Sequence, residues 1–182
     1  MILYDYQDLN LKFDFNKYKN IYVIAYSAGV FVASIFKNIP NVQKKVAVCG
    51  NPYLFDEKLG ISKENIKVFQ NITLDNYLDF RRKYMVYTDK EYEEYNKLQS
   101  LRTIESCQRE LDALQKLYVE YKDRINPAFD KAIVAENDLI FDVGAQKDFY
   151  KDKLEIIKNA KHHIFFKFKS FENILRTTNS LI

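Results

Sequence analysis

The stretch Ile21-Tyr22-Val23-Ile24-Ala25-Tyr26-Ser27-Ala28-Gly29-Val30 runs an apolar, β-branched segment straight into a serine between small residues, and a helix-like segment follows. Such a pattern suits a nucleophile elbow. A sharp strand-to-helix turn strains the backbone at the serine, lifts its hydroxyl clear of the sheet, and needs small neighbours along the strained path. A serine so placed is a candidate nucleophile for acyl transfer, provided that a base and an acid reach it. The same pentapeptide is compatible with a serine that only caps the following helix, and Ala25 stands where glycine is usual in such turns.

An acid and a histidine that follow in the order Ser, Asp, His, each in the loop after a later strand, favour the elbow. Lys131-Ala132-Ile133-Val134-Ala135 reads as a buried parallel strand, and Asp138 lies just beyond it. Glu136 and Asp142 compete for the acid's role, and Asp138 is preferred for its position directly after the strand together with Ile140-Phe141. Leu154 to Ile157 reads as a further short strand. The chain's only two histidines, His162 and His163, follow in the next loop.

The elements that must position these residues fit one α/β domain. At 182 residues and 47% hydrophobic composition, the chain is long enough for a sizeable core with an inserted cap. Val30 to Ile39 continues from the elbow as a helix stopped by Pro40, Lys45 to Cys49 is the next strand, and Gly50-Asn51-Pro52 breaks it into a loop. Strand, helix, strand implies a parallel sheet with right-handed crossovers. Ile2-Leu3-Tyr4 reads as an earlier strand.

From about Ser62 the character changes to charged and tyrosine residues at helical spacing. Leu101, Ile104, Cys107, Leu111, Leu114, Leu117 and Tyr121 form one apolar stripe, suited to packing on the main domain or to capping a site. We therefore expect a discontinuous core of residues 1-61 and 126-182, a helical cap insertion over 62-125, and a closing helix from Phe168 to Thr178. The fold class expected is α/β, with a mostly parallel central sheet and helices on both faces.

Several function classes are excluded by composition. The net charge of +3 comes from 28 basic residues interleaved with 25 acidic ones, too mild and too mixed for a nucleic-acid partner. No apolar run approaches membrane-spanning length. Cys49 and Cys107 are too few for a disulfide framework or a four-ligand zinc site, so a reducing cytosol is expected, with no metal or cofactor.

With Ser27, Asp138 and the histidine pair in place, the chain resembles the α/β-hydrolases, and more narrowly the BioG-type esterases that hydrolyse the methyl ester of pimeloyl-acyl carrier protein in biotin synthesis. The residues carrying the likeness are Tyr4-Asp5-Tyr6-Gln7-Asp8-Leu9, Ala25-Tyr26-Ser27-Ala28-Gly29-Val30 with Val32-Ala33, Gly50, and Gly60-Ile61. Asn71, Thr73, Phe80 and Arg82 continue it through the insertion. Asp138, Ile140-Phe141 and Gln146 mark the acid loop, and His162, Phe165 and Phe168 the histidine loop.

This resemblance implies a Ser27, His162, Asp138 triad, since His-x-x-Phe fits at His162 and Phe165. It also implies an oxyanion donor at the Ala28 N–H and an acidic acyl carrier protein as partner. Arg81-Arg82-Lys83 is the run that would meet that partner, or else a solvated helix face, and the phenylalanines at 165, 166 and 168 would line an acyl channel or pack the core.

Three departures stand out. Tyr26 and Ala28 replace the Trp and Met usual around the serine, and Cys49-Gly50-Asn51 replaces an Asn-Gly-Thr pattern. The strand and glycine-aromatic loop that precede the Tyr-Asp-Tyr motif in the family have no counterpart, which suggests that Met1 is an internal start. Losing one oxyanion donor costs about 100- to 1000-fold in turnover, so the short chain is expected to be weak or inactive. The resemblance leaves three functions to separate: the carrier-protein methyl esterase, a general short-chain carboxylesterase, and a non-catalytic fragment that binds acyl carrier protein.

Overall fold

Apolar β-branched runs that are buried on both faces favour parallel strands joined by helices, and four such runs lie side by side in the sheet. In the computed structural model, which describes residues 6, 14–36, 39–98 and 103–176, strands β1 (Ile21–Tyr26), β2 (Val42–Val48), β3 (Lys131–Ala135) and β4 (Leu154–Ile157) pair in chain order, all parallel. Side chains alternate across each strand. Val46, Val48, Ile133, Ala135 and Ile157 share one cluster with Ile174 of helix α7 (Phe171–Arg176). Ala25, Ala47 and Ala132 are in register across three strands and form a second cluster with Val30 of α1 (Ala28–Ile35) and Tyr150 of α6 (Val143–Tyr150). Small residues on that face let the two crossover helices approach closely, and helices therefore cover both faces of an α/β-hydrolase-like sheet.

Between β2 and β3 the described residues are helical without a strand: α2 (Lys63–Gln70), α3 (Tyr77–Phe80), α4 (Asp89–Lys97) and α5 (Ile104–Tyr121). Side-chain caps from Ser62, Thr88 and Thr103 start three of these helices, and at α4 Thr88 and Glu91 form a reciprocal capping box. Leu114 of α5 is buried, and Leu117, Tyr118 and Tyr121 pack against the cluster that holds Phe31, Val32 and Ile35 of α1. This segment and the elbow helix thus share one hydrophobic cluster.

Some boundaries move. The elbow helix ends at Ile35 rather than Ile39, and β2 begins at Val42 rather than Lys45. The stripe helix starts at Ile104, with Cys107 exposed, because the Thr103 hydroxyl terminates it by accepting from the Ser106 N–H. The closing helix is Phe171–Arg176. The expected strand at Ile2-Leu3-Tyr4, the motif residues Tyr4, Asp5, Gln7, Asp8 and Leu9, the stripe's Leu101, and positions 177–178 of the closing helix lie outside the described residues. Tyr6 is described. Its N–H donates to Glu110 of α5 at 3.2 Å, and its hydroxyl lies where a Cβ on Gly29 would come within 2.7 Å.

Candidate active site

Ser27 directly follows β1 at φ 54°, ψ −127°, a strained backbone for any residue but glycine. Its N–H donates to Val48 O at 2.9 Å, and its carbonyl accepts from Val30 N–H at 3.0 Å, which ties the turn to the next strand and to the first turn of α1. Directly behind it, a Cβ on Gly50 would lie 2.4 Å from Ser27 O, so only glycine lets the post-β2 loop approach the elbow. Tyr150 fixes that loop by donating its hydroxyl to Gly50 O at 2.8 Å. The Ser27 side chain makes no capping bond to α1. Its Oγ lies 2.9 Å from His162 Nε2.

His162 is 2% exposed. Its Nδ1 sits 3.0 Å from Asp138 Oδ2 and 3.2 Å from Oδ1. A carboxylate only accepts, so this contact places the imidazole hydrogen on Nδ1 and leaves the Nε2 lone pair facing the serine hydroxyl. Asp138 is oriented in turn by the Ile140 and Phe141 N–H groups, which donate to Oδ1 at 2.8 and 3.3 Å. The two loops are laced together, since Glu136 N–H donates to Ile157 O at 2.9 Å and Asn137 N–H to Ala160 O at 3.0 Å. Phe141 stacks on the imidazole at 6.0 Å between centroids and Tyr26 lies against it at 5.1 Å.

The rival acids take other roles. Asp142 caps α6 by accepting from the Ala145 N–H, and Glu136 accepts from the Asn159 N–H. His163 points elsewhere, ringed by Tyr26, Tyr95, Phe165 and Phe166. Burial and the adjacent His162 push its pKa down to about 4, so it is neutral near neutral pH. Phe165 and Phe168 pack on the cluster behind β1, while Phe166 is 38% exposed. Ala28 is the first residue of α1, and its N–H is therefore one of the first-turn donors without an intrahelical acceptor.

The basic run divides. Arg81 is 9% exposed and turned inward in a wide helical turn over Arg81–Met85. There its guanidinium donates to Asn96 Oδ1 (3.1 Å) and Tyr77 Oη (3.0 Å) and stacks on Tyr77 and Tyr95. It cannot serve as a surface contact, which corrects the expectation for that residue. Arg82 and Lys83 are exposed, with Arg82 paired to Asp89.

Sequence reasoning missed Cys49 as a neighbour of the acid. It is fully buried at φ 45°, and its ligand atom lies within 4.8 Å of those of Asp138 and His162, a candidate metal-binding group among the described residues. The set fits a metal poorly. Both imidazole nitrogens are committed to Ser27 and Asp138, and burial together with the Asp138 charge pushes the thiol's pKa well up, against the thiolate a metal needs. The same two facts make Cys49 a poor nucleophile. Its place at the end of an apolar run gave no sign of this proximity.

What the arrangement can do is polarise a serine hydroxyl for attack on a carbonyl, beside a backbone donor able to meet the resulting oxyanion. A family model described as pimeloyl-ACP methyl esterase BioG matches residues 1–174. The chain superposes on the crystal structure of BioG from Haemophilus influenzae with a TM-score of 0.81 and 27% identity, covering 94% of this chain and 80% of that one. It is 31% identical over 172 residues to an uncharacterized protein of Haemophilus influenzae, covering 92% of this chain and 78% of that protein. It is also 30% identical over 148 residues to a malonyl-[acyl-carrier protein] O-methyltransferase of Bacteroides fragilis, covering 78% of this chain and 29% of the methyltransferase. No helix among the described residues is long and apolar enough to cross a membrane.

Proposed function

This chain belongs to the BioG family of pimeloyl-ACP methyl esterases, and on that premise we propose that it is a serine esterase acting on the methyl ester of a pimeloyl chain carried by acyl carrier protein in the cytosol. The observation that carries the chemical half of this reading is the continuous path from Ser27 Oγ through both nitrogens of a buried imidazole to the Asp138 carboxylate, with steps of 2.9 and 3.0 Å.

In the proposed mechanism Ser27 Oγ attacks the ester carbonyl as His162 Nε2 takes its proton. Asp138 holds the Nδ1–H tautomer and stabilises the imidazolium that forms. The Ala28 N–H donates to the oxyanion. His162 then hands the proton to the methoxide oxygen as its bond to the acyl carbon breaks, giving methanol. Water, deprotonated by the same nitrogen, attacks the acyl ester on Ser27, and the proton returns to Ser27 Oγ as the acyl group leaves as a free carboxylate. No metal or cofactor takes part in these steps. Carrier-protein contact is assigned to the exposed Arg82 and Lys83; Lys83 supplies positive charge for an acidic partner, and Arg82 would have to exchange its Asp89 contact for the partner's carboxylates.

Labelling with a fluorophosphonate probe, together with methanol release from the carrier-bound methyl ester, tests the reading. Labelling that Ser27→Ala abolishes, with hydrolysis faster on the carrier-bound ester than on p-nitrophenyl esters, is the expected result. Equal turnover of the two substrates would instead identify a general carboxylesterase. Labelling that survives Ser27→Ala would remove the triad assignment, and no labelling in the wild type would overturn the serine mechanism and leave a carrier-binding protein.

A further inference from the structure

The loop that presents His162 is bonded to the helical insertion as well as to the loop that follows β3. His162 N–H donates to Tyr84 O at 3.3 Å and His163 N–H to Met85 O at 2.8 Å, both carbonyls lying at the end of the wide turn that follows α3. Just before the histidines, Lys161 Nζ donates to Arg82 O at 3.0 Å. Just after them, the short helical turn Ile164–Lys167 ends on Lys167, whose ammonium pairs with Glu91 Oε1 at 2.7 Å.

That pair is the only side-chain ion pair among the described residues that joins the insertion to the histidine loop, and it is shielded, with side-chain exposures of 25% for Lys167 and 13% for Glu91. Glu91 is itself rigidly placed. Its other oxygen, Oε2, accepts from Tyr87 N–H at 2.8 Å and Thr88 N–H at 3.2 Å, as the reciprocal half of the α4 capping box.

One carboxylate therefore closes the start of α4 with one oxygen and anchors the far end of the histidine turn with the other. The Lys161 contact sits before His162, the two main-chain contacts are made by His162 itself and its neighbour His163, and the Lys167 anchor sits further downstream, so the loop is gripped on both sides of the imidazole. A side chain that must stay within hydrogen-bond reach of both Ser27 and Asp138 tolerates little drift, since a misplacement of about 1 Å can cost roughly 100-fold in rate.

We propose that Glu91, acting through Lys167, is a positioning residue for His162, and that the insertion is part of the catalytic scaffold rather than a detachable cover. This rests on the serine-esterase reading above. Neither residue reaches the reacting atoms, so their loss should lower turnover without weakening substrate binding.

The test is the steady-state kinetics and the fluorophosphonate labelling rate of Glu91→Gln, Lys167→Met and the double variant, each beside its thermal midpoint. Glu91→Gln keeps an oxygen for the capping box while removing the charge that Lys167 meets, and Lys167→Met leaves α4 untouched should the first variant fold poorly. Expected is a fall in kcat of about 10- to 100-fold in each single variant with KM within twofold. The double variant should be no slower than the worse single variant, and Lys167→Arg should restore most of the rate. The labelling rate should fall in parallel, because the probe needs the same imidazole. Wild-type kcat and labelling in both single variants, with Ser27-dependent labelling intact, would overturn this role and leave the esterase reading standing. Loss of the Ser27 dependence itself would remove both.

Discussion

His163 should give the fold an acid-labile component that can be separated from catalysis. Its imidazole is enclosed by the rings of Tyr26, Tyr95, Phe165 and Phe166, and burial, followed by the adjacent His162, lowers its pKa from 6.5 to about 4, against a smaller opposing effect of Glu91. The unfolded chain takes up a proton at this residue near pH 6.5, whereas the folded chain resists until near pH 4. Stability therefore rises with pH across that window, is complete above the unfolded pKa, and is lost as pH falls through it. At pH 5 the unfolded state is favoured by a factor of about 30 relative to pH 7.5, or roughly 2 kcal/mol. For a domain of this size that is a drop of about 4–8 °C in thermal midpoint.

Phenylalanine at this position keeps the ring contacts and removes the titration. Urea denaturation of wild type and His163→Phe at pH 7.5 and pH 5.0 should show the variant losing about 2 kcal/mol less than the wild type between the two conditions. Its Ser27-dependent probe labelling should stay at the wild-type rate, because His162 keeps its contacts with Ser27 and Asp138. Equal losses in the two proteins would refute the assignment of a buried neutral His163. Loss of probe labelling in a folded His163→Phe would transfer the base's role from His162 to its neighbour.

Two further substitutions probe the elbow and the acid. Gly50→Ala would bring a Cβ to 2.4 Å from Ser27 O, so the post-β2 loop or the serine turn must shift. A loss of about 1–3 kcal/mol in a thermal or urea melt is expected, as for overpacking elsewhere, accompanied by slower probe labelling. A fully active, equally stable Gly50→Ala would mean that the loop does not support the turn. Asp138→Asn would still accept from the Ile140 and Phe141 N–H groups while offering an N–H to His162 Nδ1, which favours the wrong tautomer. It should melt near the wild type yet lose kcat by about 10⁴-fold, a drop that stopped-flow acylation would register.

Order along the chain made most of this site legible, and distance across it hid the rest. Ser27 directly follows β1, Asp138 and His162 lie in the loops after β3 and β4, and those two strands have the bounds their residues imply, because a strand's apolar run ends where the loop begins. The insertion offers no such rule. A basic triplet reads as a solvated surface, yet Arg81 turns inward where Tyr77, Asn96 and Tyr95 form a polar and aromatic box around it. Those partners come from two different helices, and no window of local sequence reports their convergence.

Glu91 and Lys167 show the same limit in sharper form. The capping-box spacing from Thr88 accounts for Glu91 locally, so nothing in the sequence around α4 signals that its second oxygen is needed at the histidine loop. A residue with a sufficient local reason conceals a tertiary one. Cys49 does likewise, since a small apolar thiol at the end of a strand needs no further explanation until the acid is found beside it. Positioning groups of this kind should be sought first among residues whose local role uses only some of their hydrogen-bonding capacity.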